Sequence, residues 1–131
     1  MTDPLSILQQ ARWGRVPADW RVFAKKRGKL SGLFHGTSDD PDPLLVITTD
    51  LAVEYISERK PLTIVVFQDL VGIQLRVASS DSSRVVSTWV DLRYPDGSKK
   101  KWRSAGFGND LESIQGFIEA YGAHKALRGY A

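Results

Sequence analysis

Residues 109–124, NDLESIQGFIEAYGAH, form the stretch that decides the fold, because their apolar positions recur with a helical period. One stripe along this stretch contains Leu111, Ile114, Phe117, Ile118 and Tyr121. A stripe of this width predicts an amphipathic helix that buries one face against a core. Asn109 and Glu112 have the spacing of a capping box, so the helix is expected to begin there.

The residues before this helix have the pattern of β-strands. Strands are predicted at 29–35, 44–48, 51–57, 62–67, 71–77, 85–94 and 98–104. In the segment 71–77 every second residue, from Val71 to Val77, is apolar, whereas Gln74 and Arg76 lie between them. This alternation predicts one buried side and one solvent-facing side. The residues Pro95-Asp96-Gly97 predict a hairpin turn before the last strand. The sequence therefore predicts an antiparallel β-body closed off by the terminal helix.

The first 28 residues are expected to form a helical arm on this body. Residues 4–12 predict one short helix, which would end at Trp13. Pro17 suits the first position of a second helix, which would end near Gly28. Four side chains are interpreted as apolar contacts that dock the arm on the sheet, namely Trp13, Trp20, Val22 and Phe23. An exposed aromatic platform for a ligand is the alternative.

Length and composition indicate a single globular domain. The chain has 131 residues, of which 42% are hydrophobic and 25% are charged, as in ordinary soluble domains. No uncharged apolar run approaches the roughly 20 residues that cross a bilayer, and the first residues lack the pattern of a secretory signal. The absence of cysteine excludes disulfides, thiolate metal sites and a cysteine nucleophile.

Charge is distributed unevenly along the chain, although the formal net charge is only +3. Residues 1–36 carry seven Lys or Arg and two Asp or Glu, residues 37–96 carry five and ten, and residues 97–131 carry six and three. Two basic ends therefore flank an acidic middle. If the ends meet in space they form one positive face. The alternative is a solvated surface on which both signs are scattered.

Seven antiparallel strands followed by an amphipathic helix resemble the pleckstrin-homology superfold, in which the helix plugs one end of a bent barrel. Residues 45–50 (LVITTD) followed by 53–56 (VEYI) are similar to the second and third strands of bacterial members. Residues 67–73 (FQDLVGI) resemble the passage from the fourth to the fifth strand, and residues 96–98 (DGS) resemble the penultimate hairpin. The resemblance covers about residues 25–125.

The resemblance implies a mainly β fold with a C-terminal α-helix. We expect a bent antiparallel barrel of about seven strands, capped by that helix and preceded by the short helical arm. The predicted organisation is an arm at 1–28, a barrel with its capping helix at 29–125 and a tail at 126–131.

Many pleckstrin-homology domains bind phosphoinositides through basic residues at the end of the first strand and the start of the second. The matching loop here, residues 36–43, carries Asp39, Asp40 and Asp42 and no Lys or Arg. Carboxylates at this place would repel a phosphate. A tryptophan that many eukaryotic members have in the terminal helix is replaced by Phe117, which favours a bacterial-type member. The candidate partner-binding residues are therefore cations outside the loop, namely Lys25, Lys26, Arg27, Lys29, Lys99, Lys100, Lys101 and Arg103.

The basic run at residues 99–103 has two interpretations. Cations interleaved with an aromatic residue can mark binding of single-stranded nucleic acid. The alternation of a strand, however, turns Trp102 away from Lys101 and Arg103, which favours burial of the indole beneath the helix. On one register of the hairpin, Asp91 and Arg93 would lie among Lys99, Lys101 and Arg103, and Asp91 would balance part of their charge. We favour burial and do not expect a nucleic-acid partner.

Patterns of catalytic chemistry are missing from the sequence. His124 is interpreted as a residue at a helix C-terminus, where a cation is favourable. His35 precedes the acidic loop, which lacks the glycine and the distal glutamate of a calcium loop. No GxxxxGK[ST] or GxGxxG motif occurs. We predict no catalytic residue, no metal site and no cofactor.

The leading functional hypothesis is a non-enzymatic interaction module whose partner is a protein segment or a second copy of the chain. A second hypothesis is an adaptor that its basic ends attract to anionic membrane lipids. A small enzyme or an inhibitor is the third, which no residue pattern supports. We expect a cytoplasmic protein, peripheral to the membrane under the second hypothesis.

Overall fold

A computed structural model describes residues 3–25, 42–79, 86–104, 107 and 111–129. The helices are α1 (Pro4–Arg12), a short 3-10 helix (Phe67–Asp69) and α2 (Leu111–Gly129). The strands are β1 (Arg21–Ala24), β2 (Leu44–Ile47), β3 (Leu51–Tyr55), β4 (Thr63–Val66), β5 (Gly72–Ser79), β6 (Val86–Arg93) and β7 (Lys99–Trp102). The protein is thus mainly β with a C-terminal helix, as predicted.

The strands form two antiparallel sheets rather than a closed barrel. One sheet has the order β1-β2-β3-β4 and the other has the order β5-β6-β7. Within the described residues no strand pairing closes the two sheets, so the predicted barrel is not shown. The six predicted strands from β2 to β7 are confirmed, whereas the strand predicted at 29–35 lies outside the described residues.

The N-terminal arm is only partly helical. The helix predicted at 4–12 is confirmed as α1, but the predicted second helix is wrong, because residues 21–24 form β1. Trp20 donates its backbone N–H to the carbonyl of Pro17 at 3.1 Å, which turns the chain into the strand. Arg21 then pairs with Ile47, so β1 provides hydrogen-bonding partners for the backbone groups along one edge of β2.

The two N-terminal tryptophans also differ from each other. Trp20 is half-buried and packs against the cluster beneath α1, as expected of a docking residue. Trp13 is exposed, so its predicted docking role is wrong. It caps the C-terminal end of α1 through its backbone N–H, which donates to the carbonyl of Gln9 at 3.1 Å.

The terminal helix packs against both sheets as its apolar stripe predicts. Phe117 is fully buried and its ring stacks on Trp102 with 4.2 Å between centroids, which confirms the predicted burial of that indole. The buried cluster around this contact contains Leu45, Ile47, Ala52, Val65, Phe67, Leu70, Val90, Leu92, Trp102, Ile114, Phe117 and Tyr121. Leu111 is the exception in the stripe, because it is 65% exposed in the first turn of α2. The predicted capping residue Asn109 lies outside the described residues.

The opposite face of the four-stranded sheet is covered by α1. Ile7 and Leu8 of this helix pack on a second buried cluster that includes Val46 and Val53. Because both faces of β2 are covered, its four residues are all buried, which explains the unbroken apolar run LLVI.

A glycine in α2 lets the helix approach β1 closely. A Cβ atom at Gly116 would lie 3.1 Å from Cζ of Phe23 and 3.3 Å from Cδ of Arg21. At Gly122, six residues later, a Cβ atom would meet no atom within 4 Å. The first position is therefore sterically restricted and the second is open.

We expect Gly116→Val to lower the free energy of unfolding by about 1–3 kcal/mol, because the added methyl groups push α2 away from β1. The matched control Gly122→Val has room for its side chain and removes a flexible residue from the helix, so it should be neutral or stabilising by a few tenths of a kcal/mol. Urea unfolding followed by circular dichroism measures both. Equal destabilisation by the two substitutions would contradict the close contact at Gly116.

Candidate functional site

The outer surface of the three-stranded sheet carries a concentration of positive charge. Residues paired across antiparallel strands share a face of the sheet, and here Arg76 pairs with Trp89, Asp91 with Lys101 and Arg93 with Lys99. Arg103 follows β7 in the same alternation and is exposed. We call this surface the basic face; it consists of Arg76, Trp89, Asp91, Arg93, Lys99, Lys101 and Arg103.

The single carboxylate of the basic face, that of Asp91, is fully engaged within it. Its Oδ2 accepts a hydrogen bond from Nε of Arg76 at 2.9 Å, and its Oδ1 accepts one from Nε1 of Trp89 at 3.0 Å. The bond from Arg76, followed by that from Trp89, holds the pKa of Asp91 below its ordinary value. Asp91 is therefore charged at neutral pH and balances one of the five cations.

Within the part of the chain that the structure describes, the other four cations of the basic face have no such carboxylate partner. Among the described residues no salt bridge involves Arg93, Lys99, Lys101 or Arg103. Arg93 lies on β6, Lys99 and Lys101 lie on β7, and Arg103 directly follows β7. All four side chains are exposed. The face therefore has an excess of positive charge, which attracts anionic groups.

Trp89 lies at the centre of the basic face and is half-buried. The Nζ atom of Lys101 is 4.3 Å from the centroid of its ring, which is the geometry of a cation–π contact. The indole N–H donates a hydrogen bond to Asp91, which fixes the orientation of the ring. The surface thus presents an ordered aromatic ring bordered by cations.

The structure separates the cations that the sequence grouped together. Lys99, Lys101 and Arg103 lie on the basic face, whereas Lys100 points to the other side of the strand, with Nζ 5.4 Å from the ring centroid of Tyr94. Lys25 lies just after β1 in the four-stranded sheet, where its N–H donates to the carbonyl of Pro43. Lys26, Arg27 and Lys29 lie outside the described residues.

Lys100 has its own electrostatic surroundings at the β6–β7 turn. The hydroxyl and the backbone N–H of Ser98 both donate to Oδ1 of Asp96, at 2.6 Å and 2.8 Å. These bonds, with a smaller effect of Lys100, hold the pKa of Asp96 below its ordinary value. Lys100 therefore lies beside a negative charge and does not add to the basic face.

Three residues of the basic face, Arg76, Trp89 and Arg93, were not among the candidates drawn from the sequence. The predicted register had placed both Asp91 and Arg93 beside the β7 cations, and the structure confirms that pairing. The position of Arg76 depends on the pairing of β5 with β6. The sequence predicted both strands but not the register between them, because residues 80–85 contain no turn pattern that fixes it.

His124 is the one histidine that the structure describes, and it does not occupy a helix C-terminus as predicted. The helix α2 continues to Gly129, so the imidazole lies within it. Its Nδ1 is 3.2 Å from the carbonyl oxygen of Thr49, and its ring contacts Phe67 edge-on. The ring also borders two cavities, of about 410 Å³ and about 240 Å³. Its contacts resemble those of a packing residue.

Other candidate chemistry can be located only in part. Among residues 3–25, 42–79, 86–104, 107 and 111–129, no three His, Asp or Glu side chains are placed to hold a metal ion. His35, Asp39 and Asp40 lie outside these ranges. None of the described helices has the length and apolar character required to cross a membrane.

Comparison with known proteins found no match to a protein-family model, to a curated protein or to a solved structure.

Proposed function

We propose that the protein is a non-enzymatic binding module of the pleckstrin-homology-like type, and that its basic face recognises an acidic protein segment. The order of the elements supports the first part. Strands β1 to β4 form one sheet, β5 to β7 form the other, and α2 contacts both β2 and β6. Two antiparallel sheets followed by a C-terminal helix are elements that the resemblance implies, and the closure of these sheets into a barrel is part of the proposal.

The observation that carries the binding proposal is the ratio of five cations to one engaged carboxylate on a single sheet face. Alternate residues of a strand are about 6.8 Å apart. Lys99, Lys101 and Arg103 therefore present a row of positive charges at that spacing. An extended segment with Asp or Glu at every second residue has the same period, so its carboxylates match the row.

A protein segment fits this surface better than a lipid headgroup does. The cations are distributed over all three strands of the sheet, while a phosphoinositide headgroup requires basic residues that converge on one pocket. Trp89 adds an aromatic surface next to Lys101, and aromatic residues with arginine are enriched where proteins bind proteins. Complementary charge would accelerate association and fix the register of the bound segment.

Fluorescence polarisation with a labelled peptide of alternating Glu and Thr tests this proposal. We expect salt-sensitive binding, which Lys101→Glu and Arg93→Glu each weaken about tenfold, equivalent to about 1.4 kcal/mol. The matched controls Lys60→Glu and Lys125→Glu change the net charge equally but lie in the turn between β3 and β4 and on α2. A peptide with Gln in place of Glu controls for backbone contacts.

Two outcomes would count against the proposal. Equal weakening by the control substitutions would show that net charge alone attracts the peptide. Binding to vesicles that contain phosphatidylserine, without binding to the acidic peptide, would favour the membrane-adaptor hypothesis instead. Circular dichroism of each variant shows whether the fold is preserved.

A further inference from the structure

The outer edge of β5 is open and partly apolar. The strand has eight residues, and within the described residues β6 is its only strand neighbour. Leu75 is 49% exposed and Val77 is 62% exposed, so the buried side predicted for residues 71–77 is wrong at these two positions. Their pairing partners Val90 and Thr88 are buried. The exposed part of β5 therefore combines backbone hydrogen-bonding groups that pair with no other described strand and exposed apolar side chains.

Soluble proteins usually protect an edge of this kind. Lysine, proline, a bulge or a short strand are the common devices. Residues 72–79 contain neither lysine nor proline, and their register with β6 is continuous from Gly72 to Ser79. The one charged side chain, Arg76, is bound to Asp91 within its own sheet. The edge therefore lacks the features that prevent the addition of another strand.

We propose that the occupant of this edge is β5 of a second copy of the chain, paired antiparallel about a two-fold axis at Leu75. In this register Leu75 faces its own equivalent, Ile73 faces Val77, and Gln74 faces Arg76. Apolar side chains then meet apolar ones on one face, and no two like charges lie opposite each other. Pairing centred on Arg76 would place two guanidinium groups opposite each other, which is unfavourable.

The position of the two-fold axis also determines on which side of the combined sheet each basic face lies. Because paired residues share a side of the sheet, a two-fold axis at Leu75 produces one continuous six-stranded sheet. The basic faces of both copies then lie on the same side. This inference rests on the edge of β5 and holds whether or not the basic face binds an acidic segment.

Association through a single pair of strands is expected to be weak. Such an interface lies at the small end of the range for specific contacts, so we expect a dissociation constant between roughly 1 and 100 µM. Sedimentation velocity over a series of protein concentrations measures it. The sedimentation coefficient should shift from that of a monomer to that of a dimer as concentration rises.

Leu75→Lys should weaken the dimer at least tenfold, because it brings two like charges face to face at the two-fold axis. Ile64→Lys is the matched control, since Ile64 is similarly exposed, at 44%, on the edge strand β4 of the other sheet. This control should leave the dimer unchanged. A protein that stays monomeric at every concentration, or an equal effect of the two substitutions, would overturn the proposal.

Cysteine cross-linking tests the register without requiring a charge at the interface. The chain contains no cysteine, so Leu75→Cys introduces a single thiol. Directly opposed residues of antiparallel strands have Cα atoms about 4.5–5.5 Å apart, which is within the range that a disulfide spans. Mild oxidation should convert Leu75→Cys to a covalent dimer much faster than Ile64→Cys. Cross-linking at equal rates would contradict the proposed register.

Discussion

Replacement of Phe117 by alanine is expected to lower the free energy of unfolding by about 3–5 kcal/mol. The Phe117 side chain is fully buried between α2 and the two sheets. It stacks on Trp102 at 4.2 Å and meets Phe67 edge-on at 5.5 Å. Its removal takes away the transfer free energy of the ring and leaves a cavity that the neighbouring rings cannot fill without moving.

Leu111→Ala provides the control for this substitution. Leu111 belongs to the same predicted stripe of α2 but is 65% exposed, so its truncation should change stability by no more than about 0.5 kcal/mol. Urea denaturation followed by tryptophan fluorescence measures both variants. Similar losses for the two would mean that α2 does not pack through Phe117 as the structure shows.

The contrast between these two residues shows what a periodic pattern can predict. Apolar spacing predicts which side of a helix is buried, and it identified Ile114, Phe117 and Tyr121 correctly. It does not predict where the underlying sheets end. Leu111 lies in the first turn, beyond the surface that covers the rest of the stripe, so the pattern alone could not distinguish it.

The N-terminal strand shows a different limit. Pro17 is a valid start signal for a helix, and the residues that follow have no strict alternation. Residues 21–24 form β1 because their backbone hydrogen-bonds to β2. This pairing is a tertiary contact, which the local sequence does not show. Long-range pairing therefore overrode the local helix signal.

The sequence predicted that β7 is rich in cations, but it did not predict which cations lie together on one side of the sheet. The run at residues 99–103 indicated a basic strand, and its alternation correctly turned Trp102 inward. The same alternation also turns Lys100 away from Lys99 and Lys101, so the run contributes fewer cations to one face than it contains. Arg76 joins them only through the β5–β6 pairing, whose register the sequence pattern did not predict.

Phe67→Ala is expected to have a comparable effect, about 3–5 kcal/mol, for a different reason. Phe67 begins the 3-10 helix that carries the chain from the first sheet to the second, and its N–H donates to the carbonyl of Asp50 at 2.9 Å. Its fully buried ring meets Phe117, Tyr121 and His124 edge-on, with centroids 5.5 to 5.9 Å apart. Truncation therefore removes the ring that joins the inter-sheet crossing to α2.

Val71→Ala is the matched control, because Val71 lies in the same connection but is exposed, and its truncation should cost no more than about 0.5 kcal/mol. Binding of the acidic peptide should survive Phe67→Ala under conditions where the variant is folded. The contacts among Arg76, Trp89 and Asp91 lie within the three-stranded sheet and do not involve Phe67. Loss of binding by a folded Phe67→Ala variant would show that the basic face depends on the packing between the sheets.

The double variant of Phe67 and Phe117 distinguishes a shared core from two independent contacts. The two rings touch, so once one is removed the other has already lost part of its packing. The cost of removing both should be smaller than the sum of the single costs, by about 0.5–3 kcal/mol, as for other residues in direct contact. Urea denaturation of the wild type, the two single variants and the double variant completes the cycle. Strictly additive costs would mean that the inter-sheet crossing and α2 are stabilised separately, which contradicts the edge-to-face contact between them.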